Sequence, residues 1–131
     1  MLASAVTVAA SLASTAGAGS TAVASSQAVN CNSKLKIALV APFTGGAGFL
    51  GNEQLSWAKY AVKTLAPKYG LKITLVTGDT PVEQGAAPAQ TLAQKFVADK
   101  AVVAVIGPST SGAVAASSKT YQAAGLAHIS E

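Results

Sequence analysis

Apolar residues recur along this chain with two alternating periods. Lys36-Ile37-Ala38-Leu39-Val40-Ala41 is a short apolar run that ends at Pro42, and it predicts a first strand. A loop with Gly45, Gly46, Gly48 and Gly51 follows. Leu55, Ala58, Val62 and Leu65 then fall at helical spacing, and Pro67 and Gly70 stop that helix. Leu71 to Thr77 alternates and is β-branched, which predicts a second strand, turned by Gly78-Asp79-Thr80-Pro81. Pro88 suits the first turn of a second helix, where Ala89, Leu92, Ala93, Phe96 and Val97 form an apolar stripe. Ala101-Val102-Val103-Ala104-Val105-Ile106 is a continuous apolar run, expected of a strand buried on both faces, and Gly107-Pro108 ends it. A third helix is predicted from about Gly112 to Gly125, a natural C′ residue. Leu126 to Ser130 reads as a short fourth strand before the last residue, Glu131.

The order βαβαβαβ implies an α/β fold, a partial doubly wound parallel sheet with right-handed crossovers and helices on both faces. Ligands in such sheets bind beyond the carboxyl ends of the strands, where the strand order reverses. With the order 2-1-3-4 that point lies between strands one and three. The loops there, Pro42–Gly51 and Gly107–Gly112, are the richest in glycine and hydroxyl residues in the folded part.

Residues 1–30 break the pattern. They carry no charge, and Ala16-Gly17-Ala18 and Ala22-Val23-Ala24 fit a small-x-small cleavage site. Leu2 to Leu12 is mildly apolar and too short to span a bilayer. This resembles the back half of a secretory signal peptide without its basic start, and a low-complexity tail is the alternative. The domain reading is therefore 1–33 signal-like or disordered and 34–131 folded. Cys31, the single cysteine, invites a lipid anchor, although Asn30 stands where a small residue is expected; a plain free cysteine fits as well.

Charge narrows the classes of partner. The chain has 131 residues, 11% of them charged, and a net charge of +4. There is no arginine, and the lysines are scattered from Lys34 to Lys119 without a basic patch, so nucleic acid is not expected as a partner.

The stretch with most chemistry is Gly107-Pro108-Ser109-Thr110-Ser111-Gly112. A buried strand there delivers three hydroxyls to the start of a helix, where free N–H groups and the positive end of the dipole favour an anion. The plainer reading is that Ser109 or Ser111 only caps the helix. Gly46-Ala47-Gly48-Phe49-Leu50-Gly51 matches the dinucleotide fingerprint G-x-G-x-x-G. Pro42-Phe43-Thr44-Gly45 separates it from the strand, however, and the nearest suitable acid, Asp79, lies 28 residues after Gly51. A nucleotide-binding domain using Gly46–Gly51 is thus the alternative function. Asp79 reads as a turn residue more readily than a ligand contact. Trp57 reads as helix packing, whereas Phe49 or Leu50, on the glycine loop, could cover a ligand. His128, the single histidine, lies in an apolar strand and has no evident catalytic partner. No nucleophile–base–acid set and no metal-ligand spacing is present, so neither an enzyme nor a cofactor is expected.

Lys36-Ile37-Ala38-Leu39-Val40-Ala41-Pro42-Phe43-Thr44-Gly45 resembles the opening strand and loop of type I periplasmic binding proteins, in the leucine/isoleucine/valine-binding branch. Gly51 to Val62 looks like that family's first helix, and Gly78-Asp79 its acidic turn. Val105-Ile106-Gly107-Pro108-Ser109-Thr110-Ser111-Gly112 resembles its hydroxyl-rich loop, and Gly125 to Ser130 its following strand. The resemblance covers about residues 34–131 and implies the N-terminal lobe of an extracytoplasmic receptor. Such a receptor binds a branched-chain or related amino acid and passes it to the membrane permease of an ABC transporter. It also implies that Ser111 binds the ligand's α-carboxylate; the site is then expected at Ser111, with Thr110 and Ser109 beside it and Gly112 allowing close approach, facing the loop Thr44–Gly51 with Phe49 and Leu50 across a cleft. The family's second binding loop should begin at Glu131, and its second lobe lies outside this sequence. The chain alone is expected to bind in the millimolar range or not at all.

Overall fold

The computed structural model describes residues 34–130. The signal-like segment and Cys31 lie outside them. Within them, β1 (Leu35–Ala41), α1 (Gly48–Thr64), β2 (Ile73–Asp79), α2 (Ala87–Ala98), β3 (Val102–Ile106), α3 (Ser111–Ala123) and β4 (Ala127–Ile129) alternate, with 3₁₀ turns at Ala66–Tyr69 and Val82–Gln84. All strand pairs are parallel, in the order β2-β1-β3-β4. The α/β alternation and the reversal of strand order between β1 and β3 are those read from the sequence.

The register sorts side chains between two faces. Val76, Ala38, Val105 and His128 lie in one transverse row, and Thr77, Leu39, Ile106 and Ile129 lie in the next. Successive residues of a strand point to opposite faces, so these rows belong to different sides. The first row packs under α2 and α3, where Ala38, Val40, Val105, Ala93, Phe96 and Tyr121 form the buried core. Full burial of a side chain such as Phe96 contributes about 1.5–3 kcal/mol. The second row faces the side of α1, which packs against β1 and β2.

Helix ends follow from local chemistry. Pro67 sits in the 3₁₀ turn after α1, and Gly70 leaves it with φ +67°. Pro88 stands in the first turn of α2, where its missing N–H costs no helical bond. Lys36 Nζ meets Asp99 Oδ2 at 2.7 Å, joining the start of β1 to the turn before β3. Both side chains are more than a third exposed, so the pair fixes geometry more than it adds stability.

Four sequence expectations are corrected here. β2 runs from Ile73 rather than Leu71, because Leu71 N donates to Ala66 O and closes the 3₁₀ turn. α1 begins at Gly48, so Phe49 and Leu50 lie in its first turn and not on the glycine loop. The glycines there serve close approach: a Cβ on Gly51 would lie 2.1 Å from the Pro42 carbonyl oxygen. Trp57 is not packed but 67% exposed. β3 is not buried on both faces, since Ile106 is 42% exposed. The last two share a physical reason: α1 packs on the β1–β2 half of its face and leaves the β3–β4 half bare.

Candidate functional site

The carboxyl ends of β1 and β3 meet at the strand-order reversal, and two loops rise from them. The β1–α1 loop starts at Pro42, which cannot donate to the ladder, and turns at Gly45 with φ +76°. Two carboxylates hold it. Asp79, at the end of β2, accepts from Phe43 N (2.8 Å), Thr44 N (3.3 Å) and Thr44 Oγ1 (2.5 Å). Burial pulls the Asp79 carboxyl upward, but the Thr44 hydroxyl and the Phe43, Thr44 and Thr80 backbone N–H groups together hold it below its ordinary value. Glu83 accepts from Gly46 N at 2.7 Å, and that bond lowers its pKa. Asn52 Nδ2 donates to the carbonyls of Gly48 and Phe43, tying α1 to the same loop.

The Glu83 carboxylate argues against the dinucleotide reading. The Gly46 N–H that a phosphate would need already faces an anion, and a phosphate there would meet like charge. Asp79 likewise bonds the loop of its own chain rather than standing free for a ribose.

The β3–α3 loop is the second wall. Gly107 has φ +88°, and a Cβ there would lie 2.0 Å from the Val40 carbonyl oxygen, so only glycine fits. The Gly107–Pro108 peptide is cis. His128 Nε2 lies 2.7 Å from Gly107 O, while its ring tilts against Tyr121 at 4.8 Å. Ser109 Oγ donates to Gln54 Oε1 of α1 at 2.7 Å. Thr110 is the N-cap residue of α3 but makes no side-chain cap bond. Ser109, bonded to Gln54, is not the residue at the N-cap position. Ser111 and Gly112 are the first two residues of α3 and are exposed. The first N–H groups of a helix have no partner within it, and the dipole is positive there. The arrangement can hold an anion with backbone N–H groups and one or two hydroxyls.

Beside these loops lies an open cavity of about 450 Å³, lined by Leu39, Gln54, Trp57, Ile106, Ser109 and Ile129 among others. Of the six residues predicted for the site, Ser109 lines it. Thr110, Ser111 and Gly112 follow Ser109 directly, whereas Phe49 and Leu50 lie on the first turn of α1 and do not line the cavity. Gln54 escaped the sequence reading, and Trp57, read there as helix packing, lines the cavity instead. Both line the cavity from α1 beside Leu39 and Ile106 of the sheet, a placement set by how the helix lies on the sheet rather than by its local sequence. Among the described residues, no three His, Cys, Asp or Glu side chains converge on a metal position. None of the described helices is long and apolar enough to cross a membrane.

The sequence profile described as Periplasmic binding protein matches residues 34–130. This chain belongs to the periplasmic binding protein family. A comparison with curated proteins gives no match. Among solved structures, the chain is similar to the branched-chain amino acid transporter substrate binding protein LivJ of Streptococcus pneumoniae, solved with isoleucine. Identity is 29%, the TM-score is 0.66, and the match covers 75% of this chain and 28% of that one. An ABC transporter substrate-binding protein of Desulfitobacterium hafniense, solved with Leu, is 26% identical with a TM-score of 0.60, covering 75% and 28%. A solute binding protein of R. palustris, solved with benzoate, is 25% identical with a TM-score of 0.66, covering 75% and 27%. The chain thus spans little more than a quarter of the length of these relatives. Each is a substrate- or solute-binding protein of a transporter, in line with the family resemblance read from the strand and loop motifs.

Proposed function

We propose that this stretch forms part of an extracytoplasmic receptor that binds a branched-chain or related amino acid and delivers it to an ABC-transporter permease. Its role is to hold the ligand's carboxylate at the start of α3. Ser111 supplies a hydroxyl and N–H, Gly112 lets the ligand approach the backbone, and Ser109 and Thr110 shape the loop. Phe49 and Leu50 stand across the β1–α1 loop as apolar cover. One observation carries the proposal: the start of α3, with Ser111 and Gly112 exposed, opens at the strand-order reversal, and its N-cap residue Thr110 makes no side-chain cap bond. A carboxylate is expensive to desolvate, and charge-assisted bonds of roughly 1.5–3 kcal/mol each offset that cost. The ligands of the two amino-acid-bound relatives, isoleucine and Leu, support the ligand class. Benzoate, bound by a third relative, shares the carboxylate but not the ammonium.

The localisation belongs to the same proposal. The uncharged first 30 residues act as an export signal, and the protein works outside the cytoplasm, with Cys31 as the position at which a lipid anchor would attach.

The test is calorimetric titration of a full-length protein carrying this stretch with leucine, isoleucine, valine and benzoate. Ser111→Ala is expected to weaken amino-acid binding by about 1–3 kcal/mol and to leave the ligand-free melting temperature nearly unchanged. A loss of about 1 kcal/mol in stability with unchanged affinity would make Ser111 a structural helix-start residue and overturn the assignment.

A further inference from the structure

The fold divides charge between the two ends of the sheet. All strands are parallel, so their amino ends form one edge, opposite the carboxyl ends that carry the candidate site. The crossover helices α1 and α2 run back along the sheet and finish at that amino edge. Lys34 precedes β1 and Lys72 precedes β2, and the two are neighbours: Leu35 N donates to the Lys72 carbonyl at 3.2 Å. Lys36 N donates at 2.8 Å to the carbonyl of Ala101, the residue after Lys100. Lys63 and Lys95 stand in the last turns of α1 and α2, and Lys68 stands in the 3₁₀ turn before β2. Seven of the nine lysines thus gather at one edge. They meet one acid there among the described residues, Asp99, which Lys36 pairs. The other six lysines are exposed. Glu53, Asp79 and Glu83 lie toward the opposite end. The lysines look scattered along the chain because each belongs to a different element, and the alternation of elements brings them together.

A cation in the last turn of a helix offsets the negative end of its dipole, which accounts for Lys63 and Lys95. It does not account for Lys34 and Lys72, which stand at the starts of strands. Two further features of this edge point to a partner. Tyr69 is 76% exposed and Leu65 47%, and both lie in the short connection that carries Lys63, Lys68 and Lys72. An aromatic ring with a polar tip, set among lysines, suits the boundary between water and lipid. The polypeptide before Lys34 also joins the domain at this edge, and Cys31, the anchor position proposed above, is three residues away.

We propose that the amino edge of the sheet, with Lys34, Lys68, Lys72 and Lys100 around Tyr69, docks on a bilayer of anionic phospholipids. The proposal rests on the extracytoplasmic localisation given above and not on the amino-acid site. Each lysine brought close to an anionic surface strengthens binding roughly fivefold, and the attraction fades over about 8 Å at physiological salt. Docked this way, the carboxyl ends of the strands face solution, where solute is captured. The contact is reversible, so the receptor remains able to turn to a permease. Nucleic acid suits the edge less well, because the chain has no arginine to form bidentate bonds with phosphates or bases.

The experiment uses a full-length protein carrying this stretch, without lipid, and measures its co-sedimentation with vesicles. One set of vesicles is phosphatidylcholine alone, the other equal parts phosphatidylcholine and phosphatidylglycerol. Binding to the second set only is expected, with a loss of at least about tenfold when salt is raised from about 0.1 M to about 0.5 M. Lys34→Glu combined with Lys72→Glu should weaken binding at least about tenfold. Lys59→Glu combined with Lys119→Glu makes the same change in net charge away from the edge and should leave binding within about twofold of the parent. Tyr69→Ser should weaken it a few-fold at either salt concentration. All four lysines are exposed or stand at the surface of their elements, and circular dichroism checks that both double variants are folded. Three results overturn the proposal: equal binding to both vesicle sets or to neither, equal loss in the two double variants, or tighter binding to duplex DNA than to vesicles at equal phosphate concentration. The last would assign the edge to nucleic acid. No amino acid is present in these measurements, so failure of the carboxylate site is read separately, by the titration described above.

Discussion

Ser109 Oγ and Gln54 Oε1 lie 2.7 Å apart, joining the loop after β3 to the middle of α1 across 55 residues of sequence. The bond crosses the point where strand order reverses, so it locks the two walls of the candidate site together. It is neutral and partly buried, and its loss should cost about 0.5–1.5 kcal/mol. Ser109→Ala and Gln54→Ala should therefore show a positive coupling energy in a urea double-mutant cycle. Additive effects of the two substitutions would mean that the bond is not formed in solution.

Asp79 gives the site an acid limit. Its pKa is lowered on folding from an ordinary 3.8, so the carboxylate contributes stability above that value. The contribution is lost as pH falls through the lowered pKa. Glu83 and Asp99 are lowered as well and add to the same acid loss. Asp79→Ala isolates one share. It leaves Phe43 N, Thr44 N and the Thr44 hydroxyl without their acceptor and should cost about 1–2 kcal/mol at pH 7. The difference from the parent protein should shrink at pH 3. A difference that is equal at both pH values would show that Asp79 contributes by shape and not by charge.

Tyr121, near the end of α3, is fully buried in the core, and its hydroxyl has no hydrogen-bond partner among the described residues. Burial pushes its pKa up to about 12. An orphaned buried hydroxyl is a desolvation cost, so Tyr121→Phe should be neutral or stabilising by up to about 1 kcal/mol. For a domain of this size that is a rise of about 4–8 °C in melting temperature. A fall of similar size would reveal an ordered water on the hydroxyl.

These predictions lie unevenly within reach of the sequence. The alternation of elements was legible because each period, two for β2 and 3.6 for α2, is carried by neighbouring residues such as Ile73–Leu75 or Leu92–Phe96. The candidate loops were legible for the same reason, since Pro42 and Gly107-Pro108 end strands locally. Long-range contacts were not. Nothing near Asp79 or Glu83 in sequence says that their carboxylates reach back 36 and 37 residues to hold the β1–α1 loop. Gly48 and Gly51 looked like loop residues because glycine signals both flexibility and close approach, and only the Phe43 and Pro42 carbonyls above them decide which. The exposure of Trp57 and Ile106 depends on which half of the sheet α1 covers, a matter of tertiary placement.

The glycines of the β3–α3 loop separate a fold requirement from a binding requirement. Gly107 is needed by the fold: it has φ +88°, and any Cβ would meet the Val40 carbonyl oxygen at 2.0 Å. Gly107→Ala should cost about 2 kcal/mol or more, from backbone strain and displacement of β1. Gly112 differs in both respects, since a Cβ there meets nothing within 4 Å and its φ is not positive. Gly112→Ala should keep or raise stability by about 0.4–1 kcal/mol. If the carboxylate binds at the start of α3, the new methyl group stands beside the N–H groups it needs. Affinity for the amino acid in the full-length protein should then fall at least about tenfold, or 1.4 kcal/mol. Urea denaturation and titration of the two variants together read both effects. Stability lost at Gly107 with affinity lost at Gly112 supports the site; unchanged affinity in a stable Gly112→Ala protein places the carboxylate elsewhere.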